Sequence, residues 1–315
     1  MSTAFVFPGQ GSQIVGMGRA LAESFAVASA VFDEVDSALN QKLSHVMWNG
    51  PEAELTLTEN AQPALMAVSM AVMRVLETEH GITLATHTKF VSGHSLGEYS
   101  ALAAAGTFSL ADTARLLKIR GKAMQAAVPV GQGAMAALLG LDFATASVVA
   151  AEAAQGDVCQ AANDNSDGQV VISGTRAAVD RACEIAKAKG AKRAILLPVS
   201  APFHCALMKP AADAMAEALA QVKMNAPIVP LIANVVAGEI TDPAIIRAKL
   251  VEQVTGTVRW RECVAYMAEQ GVNVFVELGA GKVLTGLAKK NAPNATAMNA
   301  GTPDEIAALV QSLKG

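Results

Sequence analysis

The stretch from Lys89 to Gly106 constrains the fold most: a short apolar run, Lys89 to Ser92, then GHSLG, then the alanine-rich EYSALAAAG, which Gly106 can terminate. It reads as strand, sharp turn, helix. Ser95 is flanked by Gly93 and Gly97 in the pattern GxSxG. Small residues there permit the strained strand-to-helix turn that exposes a serine hydroxyl, and the helix N-terminus favours a developing oxyanion. A chance match in a glycine-rich chain is the competing reading, and the strand and helix on the correct sides argue against it.

The surrounding elements extend this into an α/β fold. Ala4 to Phe7 is an apolar run closed by Pro8-Gly9, a buried strand entering a turn. Thr58 through Glu79 is apolar nearly all round, as in a core helix, with Pro63 expected in its first turn. Ser109 and Asp112 resemble a capping box that opens a helix running to about Gln125. Between Val128 and Pro198 the order becomes βαββαβ, the ferredoxin-like unit. Beyond it, Ser200 to His204 form a Pro-containing loop and alternating helices and strands resume. The expected architecture is a large α/β-hydrolase-like domain with a parallel sheet, residues 1–127 and 199–315, carrying an inserted small ferredoxin-like subdomain, 128–198.

Composition removes several function classes. With 315 residues, 52% of them hydrophobic and 17% charged, the chain can bury a large core. Its apolar runs are broken well short of the roughly 20 residues that span a bilayer, so no membrane partner is expected. No signal-peptide pattern opens the sequence, and a cytoplasmic location is expected. The net charge of -4 gives no footprint for nucleic acid. Cys159, Cys183, Cys205 and Cys263 stand singly, without the spacing of a metal or redox site, so no metal is expected. GQGSQIVGMG and GAGKVL lack the spacings of phosphate-binding loops.

A serine hydroxyl needs a base, and five histidines are available. His45, His80 and His87 lie in polar or helix-terminal stretches; His94 adjoins Ser95 but should point away from it and line the pocket. His204, in SAPFHC at the expected end of a strand, is left as the candidate. No acid to orient it stands out, and a carbonyl oxygen could take that part. On the helix from Leu110 to Gln125, helical projection places Arg115, Lys118 and Lys122 on the outer side and Arg120 at the edge of the apolar arc. A buried arginine needs an anion. A structural ion pair and bidentate capture of a substrate carboxylate both satisfy that need.

FVFPGQGSQ, GHSLGEYSAL, PFHCALM, LVEQVTGTVRW and VELGAGKVLTGL, in this order over nearly the whole chain, resemble malonyl-CoA:acyl-carrier-protein transacylases of fatty acid synthesis. The resemblance implies that Ser95 takes malonyl from malonyl-CoA and passes it to the phosphopantetheine thiol of acyl carrier protein, with His204 as base and acid. It further implies oxyanion-hole amides from Gln10 and Leu96, Arg120 on the malonyl carboxylate, Gln253 orienting His204 through its main-chain carbonyl, and Asn163, His94 and Phe203 lining the pocket. No cofactor is implied beyond these substrates, and a monomer is the working expectation. GAGKV departs from the family's common GPGKV at Ala280. Loading of a related extender unit in polyketide synthesis, a serine hydrolase and a catalytically silent carrier-docking scaffold are the alternative functions.

Overall fold

The computed structural model describes residues 2–314. Ten strands form two sheets: β1 (Thr3–Phe7), β2 (Phe90–Gly93), β3 (Gly133–Leu139), β4 (Cys159–Ser166), β5 (Gln169–Thr175), β6 (Arg193–Leu196), β7 (Leu231–Ala233), β8 (Gly238–Ile240), β9 (Val274–Leu278) and β10 (Thr296–Ala300). The larger sheet has the order β10-β9-β1-β2-β7-β8 and is parallel except for the β7–β8 hairpin at its edge. The chain is thus a mixed α/β protein.

Alternate side chains of the central strand enter different cores, which is why the strand is apolar throughout. Phe5 and Phe7 enter the main core, which they share with Leu65, Val68 and Val72 of the helix Thr58–His80. Ala4 and Val6 pack on the other face with Trp260 and Leu284. Burying each of these phenylalanines contributes roughly 2 kcal/mol.

Thr58–His80 is buried along most of its length, as its all-round apolarity requires. Pro63, however, sits inside the helix rather than in its first turn. The first intrahelical bonds already run from Asn60 and Ala61 to Leu57, so Pro63 leaves the Glu59 carbonyl without its helical donor. Where this helix crosses Leu110–Ala126, a Cβ on Gly121 would lie 2.5 Å from the Glu59 Cα. That close approach brings the neighbouring Arg120 inward.

The smaller sheet is antiparallel, in the order β4-β5-β3-β6, and encloses its own core with the helices Phe143–Ala154 and Arg176–Ala188. This is the ferredoxin-like arrangement. Its edge strand β4 is irregular at Asn163, and there it bonds to the large sheet's surroundings: Val258 N–H to Ala162 O, and Asp164 N–H to Val258 O, both 2.9 Å. No described helix is long and apolar enough to cross a membrane.

Candidate active site

Ser95 occupies a tight turn between β2 and the helix Gly97–Ala104, with φ 54. That left-handed conformation costs a residue with a Cβ roughly 1–2 kcal/mol. Both flanking glycines are required by packing. A Cβ on Gly93 would lie 2.0 Å from the Gly97 carbonyl carbon, and one on Gly97 would lie 2.2 Å from Phe7 O. Asn234, just beyond β7, secures the turn from below: its Oδ1 accepts from Ser95 N–H and its Nδ2 donates to Gly93 O, each at 2.8 Å.

The Ser95 hydroxyl lies 2.8 Å from His204 Nε2, and His204 Nδ1 lies 2.8 Å from the Gln253 carbonyl oxygen. A carbonyl only accepts, so Nδ1 carries the hydrogen, Nε2 is the acceptor, and the serine donates to it. Burial pushes the His204 pKa down to about 3, with the Arg120 charge adding to the fall. The ring is a neutral base. His204 does not stand at the end of a strand as expected. It belongs to the loop between β6, in the small sheet, and the helix Lys209–Ala220, and it also has a left-handed φ, 58.

Arg120 is 1% exposed, and its hydrogen-bond partners are neutral oxygens: Nη1 donates to Gln62 Oε1 at 2.8 Å, Nη2 to Gln253 Oε1 at 2.9 Å and to Ser95 Oγ at 3.1 Å. The guanidinium carbon also lies 5.6 Å from the Tyr99 ring centre. The structural ion pair is therefore not what holds it. A guanidinium so placed keeps its capacity for an anion brought to the serine. Lys118, expected on the outer side of the same helix, is only 15% exposed and reaches Glu59, Gln41 and Asn60. The helix Thr58–His80 and the segment before Leu43 cover a face that the projection left open to solvent.

Pro8-Gly9 abuts the turn, since a Cβ on Gly9 would meet His94 O at 2.8 Å. Among the described residues, the N–H groups of Gln10 and Leu96 have no hydrogen-bond partner. His94 is half-buried, its Nε2 2.8 Å from Asn165 Oδ1 and its ring 5.7 Å from that of Trp260, and desolvation lowers its pKa. Phe203 is buried beside His204 in the main core, and Asn163 is buried at the irregularity in β4. Neither makes a side-chain hydrogen bond to Ser95, His204 or Arg120.

The acyl transferase domain family matches residues 4–313. A malonyl CoA-acyl carrier protein transacylase of Escherichia coli (strain K12) is 48% identical over 98% of each chain. The chain belongs to the malonyl CoA-acyl carrier protein transacylase family. The crystal structure of an acyl-carrier-protein-S-malonyltransferase from Bartonella henselae covers 100% of both chains at 58% identity with a TM-score of 0.97. A malonyl-transacylase solved in complex with its type II PKS acyl-carrier protein is 42% identical, with a TM-score of 0.96 over 99% of this chain and 100% of that one.

Sequence reasoning missed the polar groups beneath the turn: Gln62, Glu98, Asn165 and Asn234. Glu98 left a signal, because it is the one charged residue in the otherwise uncharged helix Gly97–Ala104, and it is fully buried. Burial raises its pKa to about 7, against hydrogen bonds from Asn234 and Gln253. Gln62 and Asn234 gave none, since single amides acquire meaning only from what the fold brings to them. Among the described residues no cluster of three His, Cys, Asp or Glu could hold a metal ion.

Proposed function

We propose that this chain is an [acyl-carrier-protein] S-malonyltransferase that works through a malonyl-serine at Ser95. The observation that carries the reading is the position of Ser95 Oγ between a neutral histidine nitrogen, at 2.8 Å, and a buried guanidinium nitrogen, at 3.1 Å. The first arrangement makes a nucleophile; the second favours an acyl group that ends in a carboxylate.

His204 Nε2 takes the serine proton as Oγ attacks the thioester carbonyl of malonyl-CoA, and the oxyanion is received by the N–H groups of Gln10 and Leu96. The tetrahedral intermediate collapses, the carbon–sulfur bond breaks, and the imidazolium returns its proton to the departing coenzyme A thiol. The same steps in reverse order pass malonyl to the phosphopantetheine thiol of the carrier protein. Throughout, the Gln253 carbonyl holds the imidazole in one tautomer, and Arg120 pairs with the malonyl carboxylate. Asn163, His94 and Phe203 enclose the substrate.

Fatty acid synthesis is the pathway this reading favours, with related carriers as further acceptors. The carrier is the partner of the malonyl-transacylase solved with it. Four buried free thiols suit a reducing, cytoplasmic setting. Of four basic residues near the end of the small subdomain, Lys187 pairs with Glu184 and Lys189 with Glu152, leaving Lys192 and Arg193 for an acidic carrier.

Mixing the protein with malonyl-CoA and measuring intact mass should show one malonyl ester, lost in Ser95→Ala. Absence of the adduct in the wild type would falsify the reading. Arg120→Ala should lower malonyl uptake by about 100-fold and acetyl uptake far less, because only malonyl loses a charged partner.

A further inference from the structure

Gln253 touches the site twice, through different atoms. Its main-chain oxygen faces His204, while its side chain is inserted between Arg120 and the polar groups beneath the turn. The amide Oε1 accepts from Arg120 Nη2 at 2.9 Å. The amide Nε2 faces only acceptors: Ser95 O at 3.0 Å, Glu98 Oε2 at 3.1 Å and Asn234 Oδ1 at 3.3 Å. Three acceptors around an NH2 group leave it one orientation, since the flipped amide would set its oxygen against all three and its NH2 against a guanidinium. Glu98 Oε2 also accepts from Asn234 N–H at 2.8 Å, which fixes the carboxylate itself.

We propose that the Gln253 side chain, anchored by Glu98, is a positioning element for acyl selectivity: it aims Arg120 at the group carried on Ser95, separately from the main-chain carbonyl that faces His204. The inference rests on the malonyl reading above. Its physical content is that a fully buried arginine must be held by something, and here neutral amide oxygens hold it. Ion pairing directly to Glu98 would occupy the guanidinium and compete with the substrate carboxylate. Interposing an amide stabilises the cation through a polarised hydrogen-bond chain and leaves its remaining donors free.

The test compares malonyl-CoA with acetyl-CoA as donors, reading kcat/KM for acylation of Ser95 in the wild type and in Gln253→Met, which keeps the main-chain carbonyl and removes the amide. The malonyl-to-acetyl ratio should fall about tenfold or more in this variant. In Glu98→Gln, which can keep an acceptor oxygen toward both donors, the ratio should stay within about threefold of the wild type. Equal losses toward both donors in Gln253→Met, or an unchanged ratio, would overturn the proposal. If thermal melting shows that Gln253→Met does not fold, Gln253→Glu decides instead: a carboxylate on Arg120 must lower the ratio, and a ratio that stays put overturns the proposal. A wild type that forms no malonyl-serine rejects the donor reading and the proposal with it, whereas failure of the positioning role alone leaves the wild-type adduct intact.

Discussion

The serine and the histidine of the dyad share an unusual feature, a left-handed backbone in a residue with a Cβ, yet the two are held there by different means. Ser95 is framed first by its own neighbours in sequence: β2 before it, a helix directly after it, Gly93, whose missing side chain lets the turn close on Gly97, and Gly97, whose missing side chain lets the turn lie against Phe7. His204 has no such local frame. It lies in a loop that returns from the small sheet, and its imidazole is fixed by a carbonyl oxygen 49 residues away in sequence. The contrast teaches that a nucleophile's exposure can be written into a short segment, whereas a base reached from another part of the chain depends on the packing of the whole. Both must still act as one unit. Removing either, by Ser95→Ala or His204→Ala, should therefore cause losses of similar size in kcat/KM for acylation, about 10⁴-fold or more. A His204→Ala enzyme that retained a tenth of its rate would show that the loop-borne half is dispensable and break the pairing.

The local frame can be attacked without touching a reacting group. Gly97→Ala would drive a methyl group to 2.2 Å from the main-chain oxygen of Phe7, with no flexible side chain to give way. A loss of about 3 kcal/mol or more in unfolding free energy is expected, along with displacement of Ser95. Gly106, at the other end of the same helix, has φ 76, but a Cβ added there would meet no atom within 4 Å. Gly106→Ala should cost only about 1 kcal/mol, the conformational term alone, and leave acylation unchanged. Denaturant unfolding of the two variants separates close packing from backbone strain. Equal costs would mean that the contact with Phe7 relaxes cheaply and that crowding does not make glycine necessary at the turn.

The same contrast explains what the sequence revealed. The strand–turn–helix around Ser95, the core helix with its continuous apolar residues and the βαββαβ order were legible because each rests on a local period or a local punctuation by glycine. Arg120 was legible as an arginine at the margin of an apolar arc, though not what held it: Gln62 and Gln253 lie 58 and 133 residues away from it. His204 emerges from the sequence only by elimination among five histidines, and elimination carries no information about the backbone, which is why its loop setting differs from the strand end expected. Pro63 suggests a helix start because the continuous apolar run begins there, whereas the true first turn at Thr58 is written in polar residues, TENAQ, that carry no apolar period. Asn234 and Glu98 form a polar floor that exists only once β7 lies beside β2.

The smallest predicted effect concerns protons and tests how completely the loop encloses its histidine. In the unfolded chain His204 titrates near 6.5, and in the folded protein burial and the Arg120 charge bring it to about 3. Between those values the unfolded chain binds the extra proton, so the stability tied to this group is whole above pH 6.5 and is lost progressively as pH falls toward 3. Glu98 works in the opposite sense over part of the range. Its carboxyl is raised from 4.5 to about 7, so the folded state holds a proton the unfolded chain has released, and its contribution falls as pH rises through that window. Of these two groups, only the histidine contributes a slope below about pH 4.5. For catalysis the consequence is simpler: neutral His204 persists as a base, and acylation of Ser95 should show no acid limb of histidine type between about pH 7 and pH 5. A group titrating at about 6.5 would instead cost the rate roughly 25-fold across that interval. A limb of that size, absent when an uncatalysed control reaction is followed over the same range, would mean that water reaches the imidazole and that the loop opens far more readily than the turn holding Ser95.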